Sequence, residues 1–332
     1  MSTTMLRYFC VVLLCTICNY SFTQDKLSGT ANVTATGAAA YSIAIEAPKG
    51  VGDLMPSVGL AYNSQVGNGI AGVGCSITGL SVITRGMKDV AHDGTVQGVK
   101  YNDSDALYLD GKRLILMSGT VGTDGAVYSP EGEPLTRITQ HGTGTSTYFT
   151  ADTNDGMIYR YGQGAANQYL NNYSAIAAWY IATATNSINR TIIYQYTTDN
   201  LCRYIARINY GNGNSINFDY ETRPDTIFYA LGNSKGYFSK RLKSITTKIN
   251  NSVYRTYTLS YSMSDGSTTK LSRLSAINET GEDGTSSHNL NVGWNYLPAY
   301  SAACQDAGIS KTKPRMRHLI NVKKPHFLCF EA

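Results

Sequence analysis

Three charged residues, Glu221, Arg223 and Asp225, occupy alternate positions and form the group with the clearest potential for chemistry. Side chains at alternate positions of a strand point to the same face, so a strand would place this guanidinium between two carboxylates. Such a group could transfer protons in catalysis, or it could be an ion-pair network that supports the fold. The ion-pair network is the simpler interpretation, and we predict no catalytic residue here.

The sequence lacks the common signatures of catalytic sites. Its five histidines are His92, His141, His288, His318 and His326. None of them stands in a recognised arrangement with serine or cysteine, and no G-x-S-x-G or H-E-x-x-H motif is present. The glycines at 67, 69 and 72 have the spacing of a phosphate loop, but no helical pattern follows them, as such a loop requires. We therefore predict that the protein is not an enzyme and has no cofactor.

Two aspartate-rich stretches have residue types that could bind a metal ion. Asp103, Asp105 and Asp110 form the first, and the second spans residues 152–156. Neither stretch completes the spacing of a calcium-binding EF-hand loop. Aspartate beside glycine is common in turns, because its carboxylate accepts hydrogen bonds from the nearby backbone. We interpret both stretches as structural turns and predict no metal site.

Two tryptophans, Trp179 and Trp294, would be able to stack on sugars if they were exposed. The chain would then be a cell-surface adhesin or a carbohydrate-binding module, which is the alternative function that we keep open. Both residues lie in alternating apolar runs, so packing in the core is the favoured interpretation.

Four cysteines lie beyond the first 24 residues: Cys75, Cys202, Cys304 and Cys329. They form no C-x-x-C pair, so a zinc site is not indicated. An exported chain could form one disulfide, and the sequence leaves its pairing open. We interpret Cys75 as a small buried apolar residue.

Residues 1–24 have the features of a signal peptide, with Arg7 as the only charge and an apolar core at 9–17. This core is shorter than the roughly 20 residues of a membrane span, so we expect a secreted chain with no retained span. The body at 25–298 has no net charge, which argues against nucleic acid as a partner. We expect the basic tail at 299–332 to be disordered or to result from truncation.

Short strands are the elements that must position these residues. Three runs of alternating apolar and polar residues, at 41–45, 58–62 and 80–85, predict strands separated by turns rich in proline and glycine. The second of these turns, at 67–74, is dominated by glycine. Further on, Asp110-Gly111 lies between two apolar runs and predicts a hairpin.

A tyrosine-rich unit recurs after residue 190. Its pattern is R-L-x-x-I, then a turn, then a strand that ends in tyrosine, in imperfect copies of about 30 residues that include Arg241-Leu242 and Arg273-Leu274. Repeats of this length indicate supersecondary units that stack around a shared core. We predict an all-β fold of curved antiparallel sheets made of successive hairpins.

The stretch 41–85 resembles the opening of the SpvB-type N-terminal domain family, shared with the TcaC-like B components of insecticidal Tc toxins. The matching segments are YSIAIEAPKG at 41–50, MPSVGLAYNS at 55–64 and GNGIAGVGCSITGLSVITR at 67–85. The family usually has tryptophan where this chain has Cys75. The segment YETRPD at 220–225 is similar to another family motif, and the recurring unit resembles the YD/Rhs hairpins of a β-shell.

This resemblance covers about residues 27–298 and implies a non-catalytic shell or scaffold domain of a secreted virulence protein. Such a domain would enclose or present a downstream effector. Its partners would be other Tc- or Rhs-type toxin subunits, or downstream repeats of the intact protein. Toxic ADP-ribosylation in SpvB belongs to a separate C-terminal domain, so that activity is not carried over. Exposed sheet edges would favour self-association.

Overall fold

The computed structural model describes residues 27–170, 174–232, 234–263, 270–294 and 328–331. Its regular structure is almost entirely β, which confirms the predicted fold class. Within these residues, one α-helix, α1 (Val90–Asp93), has a single turn that begins at the N-cap Asp89. The predicted signal peptide at 1–24 and the tail at 299–327 lie outside the described residues.

The first nine strands are β1 (Thr30–Val33), β2 (Ala39–Ala44), β3 (Gly59–Asn63), β4 (Asn68–Gly69), β5 (Gly72–Val73), β6 (Cys75–Thr78), β7 (Val82–Gly86), β8 (Ala106–Leu109) and β9 (Lys112–Ser118). The next seven are β10 (Val127–Pro130), β11 (Arg137–His141), β12 (Tyr148–Asp152), β13 (Ile158–Tyr161), β14 (Asn167–Tyr169), β15 (Ile176–Thr185) and β16 (Thr191–Asp199). The last seven are β17 (Cys202–Tyr210), β18 (Asn214–Leu231), β19 (Ser234–Ile249), β20 (Ser252–Met263), β21 (Ser272–Thr280), β22 (Ser286–Trp294) and β23 (Leu328–Glu331).

A small N-terminal sheet has the strand order β1-β2-β3-β6. It contains the first two strands predicted from the alternating runs, with Ile43 opposite Leu60 in the register. The glycine-rich segment between β3 and β7 is more than a turn, because it forms the β4–β5 hairpin and the additional strand β6. Strands of two to four residues that are rich in glycine carry no alternating apolar pattern, so the sequence did not reveal them.

Eight strands, β7 to β13 and β15, form a closed ring. Each strand pairs with the next in antiparallel fashion, and β15 closes the ring by pairing with β7, where Trp179 lies opposite Ile83. The predicted hairpin around Asp110-Gly111 is the β8–β9 connection, and both turn residues have positive φ, as a type I′ turn requires. The interior is apolar, with Ile83, Phe149 and Trp179 almost completely buried.

A second sheet, which we call the wall, continues from β15 through β16 to β22 as antiparallel hairpins, and β23 adds to β22. Strand β15 therefore belongs to both the ring and the wall. Its first half pairs with β14 and β7, and its second half pairs with β13 and β16. Strand β7 pairs with residues 178–180 of β15, and β16 pairs with residues 183–185. We call the point on β15 between these two pairings the fork.

The N-terminal sheet packs on the wall, and their apolar faces share one core. Buried side chains of the sheet, among them Ile43 and Leu60, contribute to that core together with wall residues such as Ile277. Tyrosine hydroxyls of the wall bind the segment that follows β2. Tyr210 donates to the Pro48 carbonyl at 2.8 Å, and Tyr257 accepts from the Glu46 amide at 3.0 Å.

Among the described residues, none of the helices has the length and apolarity that a membrane crossing requires.

Candidate functional site

The wall consists of four hairpin units, each a pair of consecutive strands from β15–β16 to β21–β22. In each unit an aromatic side chain of the second strand donates a hydrogen bond to a backbone carbonyl of the first strand. The four bonds join Tyr196 to Ile181 O at 2.9 Å, Tyr220 to Ile205 O at 2.7 Å, Tyr261 to Leu242 O at 2.5 Å and Trp294 to Leu274 O at 2.7 Å. We call these four aromatic residues the aromatic ladder.

Each acceptor carbonyl lies at a β-bulge. In all four units the residue after the acceptor is an extra residue with no partner in the neighbouring strand, and these residues are Ala182, Ala206, Lys243 and Ser275. A bulge interrupts the ladder of backbone hydrogen bonds and increases the local twist of the sheet. The aromatic donor therefore satisfies a carbonyl where the regular pairing is broken, and the repeated bulges curve the wall.

The bulge explains the spacing in the R-L-x-x-I pattern. A regular strand places residues i and i+2 on one face, so residues three apart should face opposite ways. The extra residue restores the same face, and Leu242 and Ile245 are both completely buried. Leu274 and Ile277 are buried in the same manner in the next unit.

The side chain just before each acceptor packs on the aromatic of the same unit. In the first two units it is a tyrosine, and its ring lies 5.4 Å (Tyr180 to Tyr196) or 5.2 Å (Tyr204 to Tyr220) from the ladder ring. In the last two units it is an arginine. The Arg241 guanidinium lies 4.2 Å from the centre of the Tyr261 ring, and Arg273 lies 5.3 Å from Trp294. Aromatic stacking and cation–π attraction thus perform the same role in successive units.

The predicted charge group forms a buried junction between the glycine-rich hairpin and the wall. The Arg223 side chain is fully buried and bonds to Asp225 at 3.1 Å, to Asn68 Oδ1 at 2.8 Å and to Gly69 O at 3.2 Å. This confirms the predicted ion pair for Arg223 and Asp225. Glu221 differs from the prediction, because it binds Arg241 at 2.6 Å. The pairing of β18 with β19 is interrupted between Thr222 and Ile227. Arg223 and Asp225 lie in this interruption, whereas Glu221 lies in the regular pairing before it.

Asp225 is the most heavily bonded carboxylate of this junction. It accepts hydrogen bonds from Arg223, from Asn68 Nδ2 at 2.8 Å, and from the amide and hydroxyl of Ser272 at 2.6 Å each. Burial alone would raise its pKa, but the hydrogen bonds from Arg223, Ser272 and Asn68 outweigh it and hold the pKa of Asp225 far below the usual range. Asp225 is therefore a charged structural group that joins β4, β18 and β21.

The glycine-rich β4–β5 hairpin packs closely against the wall. Gly72 has φ +92°, and a Cβ atom there would lie 2.8 Å from the Ser272 carbonyl oxygen. The Leu242 amide donates to the Ile70 carbonyl at 2.9 Å and completes the contact. Gly72, the last glycine of the segment whose spacing resembles a phosphate loop, thus allows the two backbones to approach closely.

The aspartate-rich stretches are structural turns, as predicted. Asp105 accepts from the amides of Lys100 and Asn102 at 2.8 and 3.0 Å, and Asp110 accepts from the Val82 amide at 2.8 Å. Asp155 accepts from the Thr153 hydroxyl at 2.5 Å within its own turn. In the described part of the chain, no three histidine, cysteine or acidic side chains are grouped as a metal site would need.

Both tryptophans pack against protein groups, as the favoured interpretation predicts. Trp179 is 1% exposed, donates to Thr147 O at 2.8 Å and meets Phe149 edge to face. Trp294 is half-buried and packs edge to face on Tyr62. One face of each ring is covered by a guanidinium, that of Arg85 over Trp179 and that of Arg273 over Trp294.

Cys75 and Cys202 are both buried and free. Burial raises the pKa of the Cys75 thiol to about 12, so it is an apolar core residue and a poor nucleophile. This confirms the interpretation of Cys75 from the sequence.

The three described histidines contact different partners. His92 contacts Asp89 at 2.8 Å, His141 stacks on Tyr148, and His288 contacts Glu279 at 3.1 Å. His318 and His326 lie outside the described residues.

Comparison with known proteins decides the family. Residues 33–204, more than half of the chain, match the family described as "Salmonella virulence plasmid 65kDa B protein", or SpvB. The chain belongs to the SpvB family. No curated protein sequence matches it.

Solved structures show the same fold at low sequence identity. A TcdB2–TccC3 complex matches at 17% identity with a TM-score of 0.66, covering 81% of this chain and 17% of the other. The Photorhabdus luminescens Tc holotoxin pore matches at 16% identity and a TM-score of 0.66, covering 83% of this chain and 17% of the other. The N-terminal domain of the effector SpvB from Salmonella typhimurium matches at 17% identity and a TM-score of 0.59, covering 72% and 98%. The chain thus spans about one sixth of the Tc chains.

Proposed function

We propose that this SpvB-family chain is a non-catalytic shell segment of a secreted virulence protein and that it encloses or presents an effector region. The observation that carries the proposal is the aromatic ladder, because it builds a curved wall from repeated hairpins. Each unit supports the next through backbone pairing, so a wall of this kind can be lengthened by further hairpins.

The pairing of β23 at the last ladder position supports an extension of the wall beyond β22. Leu274 of β21 lies opposite Tyr261, and in the same way Leu328 of β23 lies opposite Trp294. Strand β23 therefore takes the register position of a following unit, although it lacks the extra bulge residue. We expect further repeats, or another toxin subunit, to take the place of β23 on β22.

Co-expression with a TccC3-type subunit tests the proposal, since the fold is shared with TcdB2–TccC3 complexes. We expect the two chains to co-purify and the partner's C-terminal region to resist protease. The double variant Asn291→Lys/Gly293→Lys, in the part of β22 that pairs with β23, should weaken co-purification because charge blunts a strand edge. Asn289→Lys, exposed on the same strand outside that part, is the matched control. A partner that stays unbound and fully digestible contradicts the proposal.

Secretion is part of the same proposal and rests on the signal pattern at residues 1–24. N-terminal sequencing of the exported protein should find a start near residue 25. A chain that remains in the cell with its first residues intact contradicts this element.

A further inference from the structure

The fork opens into a cleft of about 520 Å³, a volume within the usual range of small-molecule sites. Residues 54–57 line one side, and β13, β15 and β16 line the other. Three tyrosines, Tyr159, Tyr161 and Tyr194, are among the lining residues. The cleft shares no residue with the Arg223 junction, and it shares only Ile181, the first acceptor, with the bonds of the aromatic ladder.

Two of the three tyrosine hydroxyls have no hydrogen-bond partner in the part of the chain that the structure describes. The Tyr194 residue is 8% exposed, and its hydroxyl and that of Tyr159 remain accessible to solvent at the cleft. Tyr196, two positions further along the same strand, is equally buried, but its hydroxyl donates to the Ile181 carbonyl. A phenol hydroxyl that lines a cleft without a protein partner is free to donate to a ligand and to accept from it.

The chemistry of the lining selects a neutral ligand. Among the described residues, no lysine or arginine lines the cleft, and the one carboxylate, Asp110, already accepts from Val82 N and Ser81 Oγ. Burial raises the pKa of Tyr194 to about 12, so this phenol stays neutral and can both donate and accept. Met55 and Met157 add apolar surface beside the rings.

The backbone at the fork does not offer an edge for a peptide strand. Tyr180 pairs with Val82, the Ile181 amide donates to the Ser81 carbonyl, and Thr183 pairs with Ile193. Strand addition needs a row of free backbone groups. The available donors are side-chain hydroxyls beside aromatic faces, an arrangement that suits the hydroxyls and C–H faces of a sugar.

We propose that the fork cleft binds a neutral saccharide of one or two rings, with the hydroxyls of Tyr159 and Tyr194 bonding to sugar hydroxyls. This site can be tested separately from the shell role, because Tyr159 and Tyr194 belong neither to the aromatic ladder nor to the β22 edge. It also differs from the sugar site first considered from the sequence, which relied on Trp179 and Trp294.

Titration of the full chain with neutral disaccharides, namely lactose, maltose, cellobiose and diacetylchitobiose at millimolar concentration, tests the site by NMR or calorimetry. The variants are Tyr159→Phe, Tyr194→Phe and the double variant, which remove only hydroxyls without protein partners. The fold should therefore be kept, and the melting temperature should stay unchanged. Tyr237→Phe, a partly exposed tyrosine outside the cleft, is the matched control. Short neutral peptides form a parallel arm.

We expect at least one disaccharide to bind the wild type and the Tyr237→Phe variant equally. The double variant should bind about tenfold more weakly, as the loss of hydrogen bonds to a ligand predicts. The proposal is overturned if no disaccharide binds, if binding is unchanged in the double variant, or if peptides bind there and sugars do not.

Discussion

Arg223 illustrates how one residue joins distant parts of the chain. Its guanidinium is completely buried and contacts Asn68 and Gly69, more than 150 positions earlier, while Asp225 balances its charge. A buried ion pair adds little net stability over an apolar pair, but removing one partner leaves an uncompensated charge. The value of the pair is that it fixes where the glycine-rich hairpin docks.

Replacing Arg223 by leucine should strongly destabilise the protein, because Asp225 would be buried without its counter-ion. We expect the free energy of unfolding to fall by about 3–5 kcal/mol, measured by urea denaturation. Arg137→Met removes an exposed arginine from β11 and should change it by less than about 0.5 kcal/mol. Equal effects of the two substitutions would rule out a special role for the junction.

The effect of Asp225→Asn should depend on pH. The pKa of Asp225 is lower in the folded than in the unfolded protein, so its stabilisation is complete above the unfolded pKa of about 4 and declines as the pH falls further. We expect a wide stability gap between wild type and variant near pH 7, which narrows progressively below about pH 4. Urea midpoints at a series of pH values measure the gap, and a constant gap would contradict the assignment.

The hairpin unit shows what sequence patterns reveal about an element and what they leave out. The alternating tyrosines of β16 were predicted on one face, and Ile192, Tyr194 and Tyr196 are indeed buried together. The acceptor carbonyls were not predicted, because every backbone offers the same group. One available signal was missed: Leu242 and Ile245 are three positions apart, an odd spacing that only a bulge can place on one face.

Tyr261→Phe tests the ladder bond directly. The substitution keeps the ring on Arg241 and removes the donor to the Leu242 carbonyl, which should cost about 1–2 kcal/mol of unfolding free energy. Tyr237→Phe, on a partly exposed ring, should be nearly neutral. A neutral Tyr261→Phe would show that packing alone orders the unit.

Gly72→Ala tests the close approach of the hairpin to the wall. Both the positive φ and the short distance to the Ser272 carbonyl oppose a Cβ atom, so we expect a loss of more than about 1 kcal/mol. Gly67→Ala is a matched control within the same segment, since a Cβ atom there meets nothing within 4 Å. Thermal unfolding of both variants distinguishes docking from a general intolerance of alanine.

At the scale of the whole molecule, the all-β architecture and the family were predictable, but the closed ring was not. The pairing of Trp179 with Ile83 joins strands almost 100 positions apart. Local periodicity identifies strands, and it contains no information about which distant strands meet. The Arg223–Asp225 pair was predicted because its residues are neighbours in the sequence. Its contacts with Asn68 and Ser272 were not predicted, because these residues are distant in the sequence.

The exposed edge of β1 should promote self-association. Within the described residues β1 pairs only with β2, and Val33 on it is 74% exposed. Light scattering should show a mass that increases with protein concentration, and Val33→Lys should reduce this increase because charge protects a strand edge. Val96→Lys replaces an equally exposed valine in a loop and should have no effect. A monomer at every concentration would contradict the prediction.

Strand β15 also determines how the protein would respond to mechanical force. Hairpins of the wall pair with their sequence neighbours, so tension at β22 could peel them away one unit at a time. At β15 such unravelling meets a strand that also pairs with β7, β13 and β14. The fork would therefore act as a mechanical stop, and a stretched chain would retain its ring after the wall had been pulled out.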